Sequence, residues 1–362
     1  MHDENASTFE ASLSRSKELE TKIQQNHAAF RVLTGERPTG LLHVGHLFGS
    51  IVERARLQQL GTEVFVLIAD YQVITDRDEL GAIAENAYNI VLDNLTAGLD
   101  PKTTTFFAHS QIPELNQLML PFLSLVSDSE LRRNPTVKAE LEASGGKMSG
   151  LLLTYPIHQA ADILFCKGNV VPVGKDQLPH IEIARVIARR FNERFCGQDG
   201  IFPLPEALLS STPLLPGLDG RKMSKSFGNA ISLAMTSDET EALIKKSATD
   251  STREIYYDPA NRPGVSALLE YIVLARGQKL NEQNVQLVVD EINRDPKYGA
   301  GLLKSKATEA VNDFLAPHRA RRAELSQNMD YIAAVLRSGN VKAREIASST
   351  LCQVQDAMGT VY

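Results

Sequence analysis

The chain has 362 residues, 43 % apolar and 23 % charged, with a formal net charge of −6, the balance of a globular protein with room for two domains and a sizeable core. That charge argues against a general nucleic-acid coat and leaves only a local basic face for such a partner. Apolar runs such as "VFVLIA" and "LLLTYPI" are too short to span a bilayer, so no membrane association is expected.

The N-terminal "MHDENASTFEASLSRSKELE" has no charged-then-apolar leader pattern. Cys166, Cys196 and Cys352 are far apart, with neither metal spacing nor a disulfide framework, so a reducing, cytoplasmic setting is expected. Residues 1–29 read as a polar extension with a weak helical period through Phe9, Leu13, Leu19 and Ile23. "RVLTG" predicts a short buried strand, and a helix follows from about His46 through "LFGSIVERARLQQL" to Gly61. "EVFVLIAD" predicts the second strand, β-branched and aromatic, ending at Asp70. A helix from about Glu79 to Gly98 and a strand at "TTTFFAHS" come next. "NVVPVG" is a further strand, followed by the helix "DQLPHIEIARVIARRFNERF". Strands alternating with helices predict an α/β fold with a Rossmann-like, doubly wound parallel sheet. From about residue 237 helical periods take over. The expected division is therefore an extension at 1–29, a Rossmann-like domain at 30–236 and a C-terminal helical domain at 237–362.

In such a sheet ligands bind at the carboxyl ends of the strands, and three segments fall there. In "TGERPTGLLHVGHLFGS" glycines allow close backbone approach. His43 and His46 stand where strand passes into helix, so both imidazoles and the first free N–H groups can meet one anion. By itself an HxGH is more often a loop with two surface histidines. In "TYPIHQAADILFCKGNVVPVGKDQLPH", Tyr155, Gln159 and Asp162 fall at i, i+4 and i+7, one face of a helix. That face suits a small amphipathic ligand, or is an ordinary helix with a solvated Asp162. The third segment, "GLDGRKMSKSFGNAI", places Arg221, Lys222 and Lys225 between glycines. Lysines on such a loop are usually solvated charge, but the order Lys-Met-Ser-Lys-Ser is specific.

His43-Val44-Gly45-His46 followed by Lys222-Met223-Ser224-Lys225-Ser226 resembles the paired signature of class I aminoacyl-tRNA synthetases. More closely, "GERPTGLLHVGH", "LLTYPIHQAADIL", "VPVGKDQLPHIEIARVIARRFNERF", "GRKMSKS" and "SATDS…YDPANRPGVSALL" resemble bacterial tryptophanyl-tRNA synthetases. The resemblance implies a nucleotide-binding αβα domain with a helical anticodon-binding domain, a homodimer, and L-tryptophan, ATP, Mg2+ and tRNA(Trp) as substrates and partners. It makes His43, His46, Lys222 and Lys225 the catalytic set. Arg37, Pro38, Thr39, Gly45, Gly174, Lys175, Asp176, Met223, Ser224 and Ser226 would border ATP beside His46 and the two lysines. Tyr155 and Gln177 would take the α-ammonium group, Asp162 the indole N–H, with Gln159 in the same pocket. No protein metal cage is expected. A tyrosine-activating relative and a weakly catalytic paralogue that binds tryptophan or RNA are the alternatives.

The chain departs from the commoner family pattern at several positions. His46 stands where many members have asparagine, Arg37 replaces a glutamine, and Tyr71-Gln72 replaces Gln-His. Gln159 replaces a methionine and Lys175 an acidic residue. The set resembles a second, divergent bacterial branch. For tRNA, Lys304, Lys306, Arg319, Arg321, Arg322, Lys342 and Arg344 are candidates for a basic face, or simply a solvated helical surface.

Overall fold

The computed structural model describes residues 2–75, 81–143, 145, 147–197, 199–209, 215–223 and 227–362. Five strands form one wholly parallel sheet: β1 (Arg31–Glu36), β2 (Glu63–Ile68), β3 (Thr104–Ala108), β4 (Val170–Val173) and β5 (Glu206–Leu209), in the order β3-β2-β1-β4-β5. Connection order reverses between β1 and β4, which opens a crevice at their carboxyl ends. The central run of β2 is continuously apolar and β3 is buried throughout because both faces are covered. In β2, Val64, Val66 and Ile68 pack into one layer and Phe65 and Leu67 into the other.

Both sheet edges are closed by terminal helices. Along β5 the Leu209 N–H donates to Ser16 Oγ at 2.8 Å, so the N-terminal helix His2–Gln25 is docked, with Leu19 and Ile23 buried. Along β3 the last helix, Met329–Met358, lies so close that a β-carbon on Gly339 would be 1.9 Å from Phe106 O. Asn340 Oδ1 accepts the Ala108 N–H at 3.0 Å. Each contact satisfies edge groups that would otherwise invite another chain.

The helix expected from His46 to Gly61 is divided. A short turn, Val44–His46, passes into a π-helical turn, Leu47–Ile51, and then into Val52–Gln59. Such a turn re-aims the side chains that follow it, and here the altered path seats Arg54 beneath the sheet end with 1 % exposure. The helix expected from about Glu79, a residue outside the described ones, runs over Ile83–Thr96. Beyond residue 237 the helices Ser237–Lys246, Pro263–Ala275, Glu282–Arg294 and Ala300–Leu325 follow. Their apolar residues join the sheet layer of Val64 and Val66 in one continuous core. Among the described residues no helix is long and apolar enough to cross a membrane.

Candidate active site

β1 ends at Glu36, and the chain turns through 37–43 into the Val44–His46 turn. His43 is extended (φ −131°, ψ 170°), and its N–H donates to His46 Nδ1 at 3.2 Å. That bond places the neutral His46 proton on Nε2, which is 3.9 Å from Glu36 Oε2. The two imidazole rings are 3.9 Å apart. Glu36 in turn is held by the Arg54 guanidinium and by Ser50 Oγ at 3.1 Å. Arg54 is fixed by Thr34 Oγ1 at 3.0 Å and Asn94 Oδ1 at 3.2 Å. Burial pushes the Glu36 carboxyl up, but the Arg54 charge and the hydrogen bonds from Arg54 and Ser50 overrule it, and the net shift is below the ordinary carboxylate range. Of the neighbouring residues, Pro38 is buried and its carbonyl accepts from Asn86 Nδ2 at 3.2 Å, while the Thr39 N–H closes a tight turn on Arg37 O at 2.8 Å.

The lysine-bearing loop returns to this turn. Past it, the Leu233 N–H donates to Leu42 O at 2.9 Å, and the Val44 N–H donates to Ile231 O at 3.0 Å. Met223 is buried, and a β-carbon on Gly45 would lie 3.1 Å from its sulfur and 3.0 Å from the His43 ring. Asp219 ties the stems together, accepting from Arg221 Nε at 2.8 Å and Asn229 Nδ2 at 2.7 Å. Arg221 also sits 4.8 Å from the Phe227 ring centroid. Lys222 is exposed, and its carbonyl accepts from Asn229 Nδ2 at 3.2 Å. Ser224, Lys225 and Ser226 lie outside the described residues.

At the end of β4, Gly174, Lys175 and Asp176 are exposed. A β-carbon on Gly174 would lie 2.8 Å from Asp176 Oδ1, a contact that the exposed Asp176 side chain can relieve by turning away. Gln177 Nε2 donates to Asp176 Oδ2 at 3.1 Å.

The helix Gly150–Leu164 is capped by Ser149, whose Oγ accepts the Leu152 N–H at 3.0 Å. It buries Tyr155 and Asp162, while Gln159 is half-buried. Three histidines not singled out in the sequence meet these two residues. His180 Nε2 is 3.1 Å from the Tyr155 hydroxyl. Burial lowers His180 to about 4, against a weaker pull from Asp176, so it is neutral at pH 7. His109 follows β3, and its Nε2 is 2.8 Å from Asp162 Oδ1, with both side chains fully buried. The His158 ring lies 4.4 Å from that of His109, and burial lowers its pKa. Asp162 Oδ2, His109 Nδ1 and His158 Nε2 are buried without hydrogen-bond partners among the described residues. Ligating atoms of these three residues lie within 4.8 Å of one another. Tyr71 stacks on His109 at 6.4 Å, and Asp70 accepts from the Ser110 N–H at 3.1 Å. The ends of β2 and β3 thus form one wall of the pocket. His109 was discoverable from its place at a strand end, and His158 from its position one helical turn before Asp162.

The basic residues proposed for a tRNA face are largely consumed within the protein. Arg322 bonds Asp93 and Asn89, each at 2.7 Å, and Arg319 bonds Met235 O, Asn312 and Thr240. Lys304 donates to Lys245 O and Ser247 O, Lys306 pairs with Glu309, Lys342 with Glu63 and Arg344 with Glu114. Apart from Lys306, whose partner is on its own helix, they act as staples across the fold, because each reaches a carbonyl or carboxylate on a packed neighbour. Arg321 is exposed.

The family model for class I tRNA synthetases of the W and Y type matches residues 25–316. The tryptophan–tRNA ligase of Lactococcus lactis subsp. lactis is 39 % identical over 346 residues, covering 91 % of this chain and 98 % of that one. That of Thermotoga maritima is 37 % identical over 336 residues, covering 92 % and 100 %. The crystal structure of the Campylobacter jejuni tryptophanyl-tRNA synthetase, complexed with ADP and tryptophan, superposes with a TM-score of 0.75 at 30 % identity, covering 91 % and 100 %. The parallel sheet, the paired signatures at its carboxyl edge and these relatives agree: the chain belongs to the class I tRNA synthetases of the W and Y type.

Proposed function

We propose that the protein is a tryptophan–tRNA ligase, which activates L-tryptophan with ATP and transfers it to tRNA(Trp). A carboxylate oxygen of tryptophan attacks the α-phosphorus of ATP. The bond from that phosphorus to the bridging oxygen breaks, and pyrophosphate leaves. The ribose hydroxyl at the tRNA end then attacks the acyl carbon and AMP leaves. The attacking groups belong to the substrates, so the protein's task is positioning and charge stabilisation.

His43 and His46 would donate to the phosphates at the start of the Val44–His46 turn. Glu36 would keep His46 oriented, and Gly45 would leave room for the adenosine. Lys222 and Lys225 would neutralise the leaving pyrophosphate as mobile point charges. The segment 37–39 and Gly174, Lys175 and Asp176 would border ATP, as would Met223, Ser224 and Ser226. The neutral His180, whose Nε2 is 3.1 Å from the Tyr155 hydroxyl, would hold that hydroxyl in place beside the α-ammonium group. Gln177 would bind the same group, with Gln159 beside it.

Carboxylates close to the signatures are committed elsewhere: Glu36 to Arg54 and Ser50, Asp219 to Arg221 and Asn229. The nitrogen-rich cluster around Asp162 does not suit a cation that takes oxygen ligands. Mg2+ would therefore arrive on the ATP phosphates, where it shares their charge. A cytoplasmic location and a homodimer are part of the same reading, the latter on family resemblance alone; light scattering of the purified protein tests it.

The observation that carries the amino-acid assignment is Asp162. One oxygen is held by His109, and the other is buried without a partner among the described residues, which supports recognition of a single ring N–H. An acceptor so placed rejects phenylalanine, since the carboxylate would stay unpaired. ATP–pyrophosphate exchange with each amino acid in turn is the test. Exchange with tryptophan alone is expected; exchange with tyrosine instead would overturn the assignment. No exchange, with tryptophan still bound, would leave a binding paralogue.

A further inference from the structure

His109 and Asp162 are 53 positions apart in the chain, and both side chains are fully buried. A carboxylate in such a place needs donors, and His109 Nε2 supplies one to Oδ1 at 2.8 Å. His109 Nδ1 is buried with no partner among the described residues, so a proton there would be wasted, and the Nε2–H tautomer is the one that satisfies the pair. The torsion that turns a carboxylate about its own axis is soft and twofold. The His109 bond removes that freedom and uses Oδ1, so Oδ2 faces the pocket in one fixed direction. The Tyr71 ring lies 6.4 Å from the imidazole and nearly parallel to it, and the His158 ring packs at 4.4 Å.

From this geometry we infer that His109 is a positioning residue that sets substrate specificity: it pins Asp162 so that one carboxylate oxygen is presented as the sole acceptor for a ring N–H. The inference rests on the reading of Asp162 given above, and it assigns the discriminating geometry to a residue outside both signatures.

The test compares kcat/KM in ATP–pyrophosphate exchange for L-tryptophan and for 3-(3-benzothienyl)alanine, in which sulfur replaces the N–H. Wild type should prefer tryptophan by about tenfold or more. His109→Leu and His109→Met both remove the donor, and either soluble variant suffices. Each should lower the preference about tenfold, mainly through KM for tryptophan, with KM for ATP unchanged. His109→Gln, whose amide can donate to Oδ1, should restore it. A purely structural role would weaken both substrates together and leave the ratio unmoved. Asp162→Ala separates the two ideas. If it keeps the wild-type preference, Asp162 is not the reader. If it abolishes the preference while the Leu and Met variants at 109 retain it to within about twofold, the His109 inference alone fails.

Discussion

The sulfur of Met223 lies 3.1 Å from the point where a β-carbon on Gly45 would sit. The middle of one signature therefore rests on the middle of the other, although 178 positions separate them (223 − 45). Alanine is a better helix former than glycine by up to about 1 kcal/mol, so Gly45→Ala should not unfold the protein. It should push Met223 and the His43 ring by a few tenths of an ångström. Adenylate formation, measured in a single turnover, should fall by about 10- to 100-fold, with the urea midpoint nearly unchanged. Full activity would mean that the two signatures do not need this contact.

The stems of the lysine loop differ in stiffness. Gly220 has φ +77°, and a β-carbon there would be 2.2 Å from Pro263 Cβ. Gly228 has φ +61° with open space around it. Gly220→Ala combines a left-handed penalty with overpacking, about 2–4 kcal/mol in all. Gly228→Ala should cost only about 1–2 kcal/mol. Urea unfolding of the pair gives the comparison. Equal losses would mean that the close approach of Pro263 to Gly220 adds nothing to the cost.

Arg322 was a candidate for RNA contact, yet it binds Asp93, a residue with 1 % side-chain exposure. Breaking a largely buried ion pair costs about 2–4 kcal/mol after allowing for the partial exposure of Arg322. Arg322→Ala should therefore lose stability while KM for tRNA stays near wild type at a temperature where the variant is folded. A raised KM for tRNA without a stability loss would return Arg322 to an RNA surface.

These outcomes show where the sequence was readable. β2 is a β-branched and aromatic run, and its burial on both faces in the parallel sheet matched expectation. β5, "EALL", has no β-branched residue and is an edge strand stabilised by its neighbours, so local pattern could not reveal it. The three pocket histidines sit in apolar surroundings, where a lone histidine looks like an ordinary core residue. The contacts of His180 and His109 span 25 and 53 positions, which no local window contains; only His158, four positions before Asp162, had a local signal. Arg54 reads as a surface charge on a helix until the π-helical turn and Glu36 are seen together. The signatures were legible because their chemistry is local; the residues that orient them were not.

Acid should weaken the fold through its buried histidines. The folded-state values of His180 and His318 are lowered to about 4 from 6.5 by burial. The unfolded chain therefore takes up protons below about 6.5 that the folded chain refuses until about 4. The stability of the neutral forms is fully present above about 6.5 and is lost as pH falls toward 4. For His180 the loss is at most roughly 3 kcal/mol. His180→Gln should flatten urea-derived stability most cleanly between about 6.5 and 5, above the range in which carboxylates such as Glu130, held near 2, begin to lose theirs. Asp250, held near 2 mainly by its hydrogen bonds with Arg262, loses its contribution only below about 4. An unchanged slope in the variant would mean that His180 is charged in the folded protein.

The absence of tryptophan from the chain, against 9 tyrosines and 13 phenylalanines, permits a direct optical prediction about the substrate. Excited where tyrosine hardly absorbs, the protein should be nearly dark, and added tryptophan would be the only indole present. A ring enclosed by the helix Gly150–Leu164 and paired with Asp162 leaves water for a fixed, apolar surrounding, so its emission should shift and its anisotropy rise. Mg-ATP should strengthen both changes, because adenylate formation joins the amino acid to a nucleotide held by the two signatures. Asp162→Ala should move the midpoint of the response to about 10- to 150-fold higher protein concentration, if the carboxylate supplies a charge-assisted hydrogen bond worth about 1.5–3 kcal/mol. Titrating protein into a fixed, low concentration of tryptophan measures all of this in one cuvette. Unchanged emission and anisotropy, with and without Mg-ATP, would remove tryptophan as the substrate. A saturable response that tyrosine competes away, and other amino acids do not, would point to the tyrosine-activating relative instead.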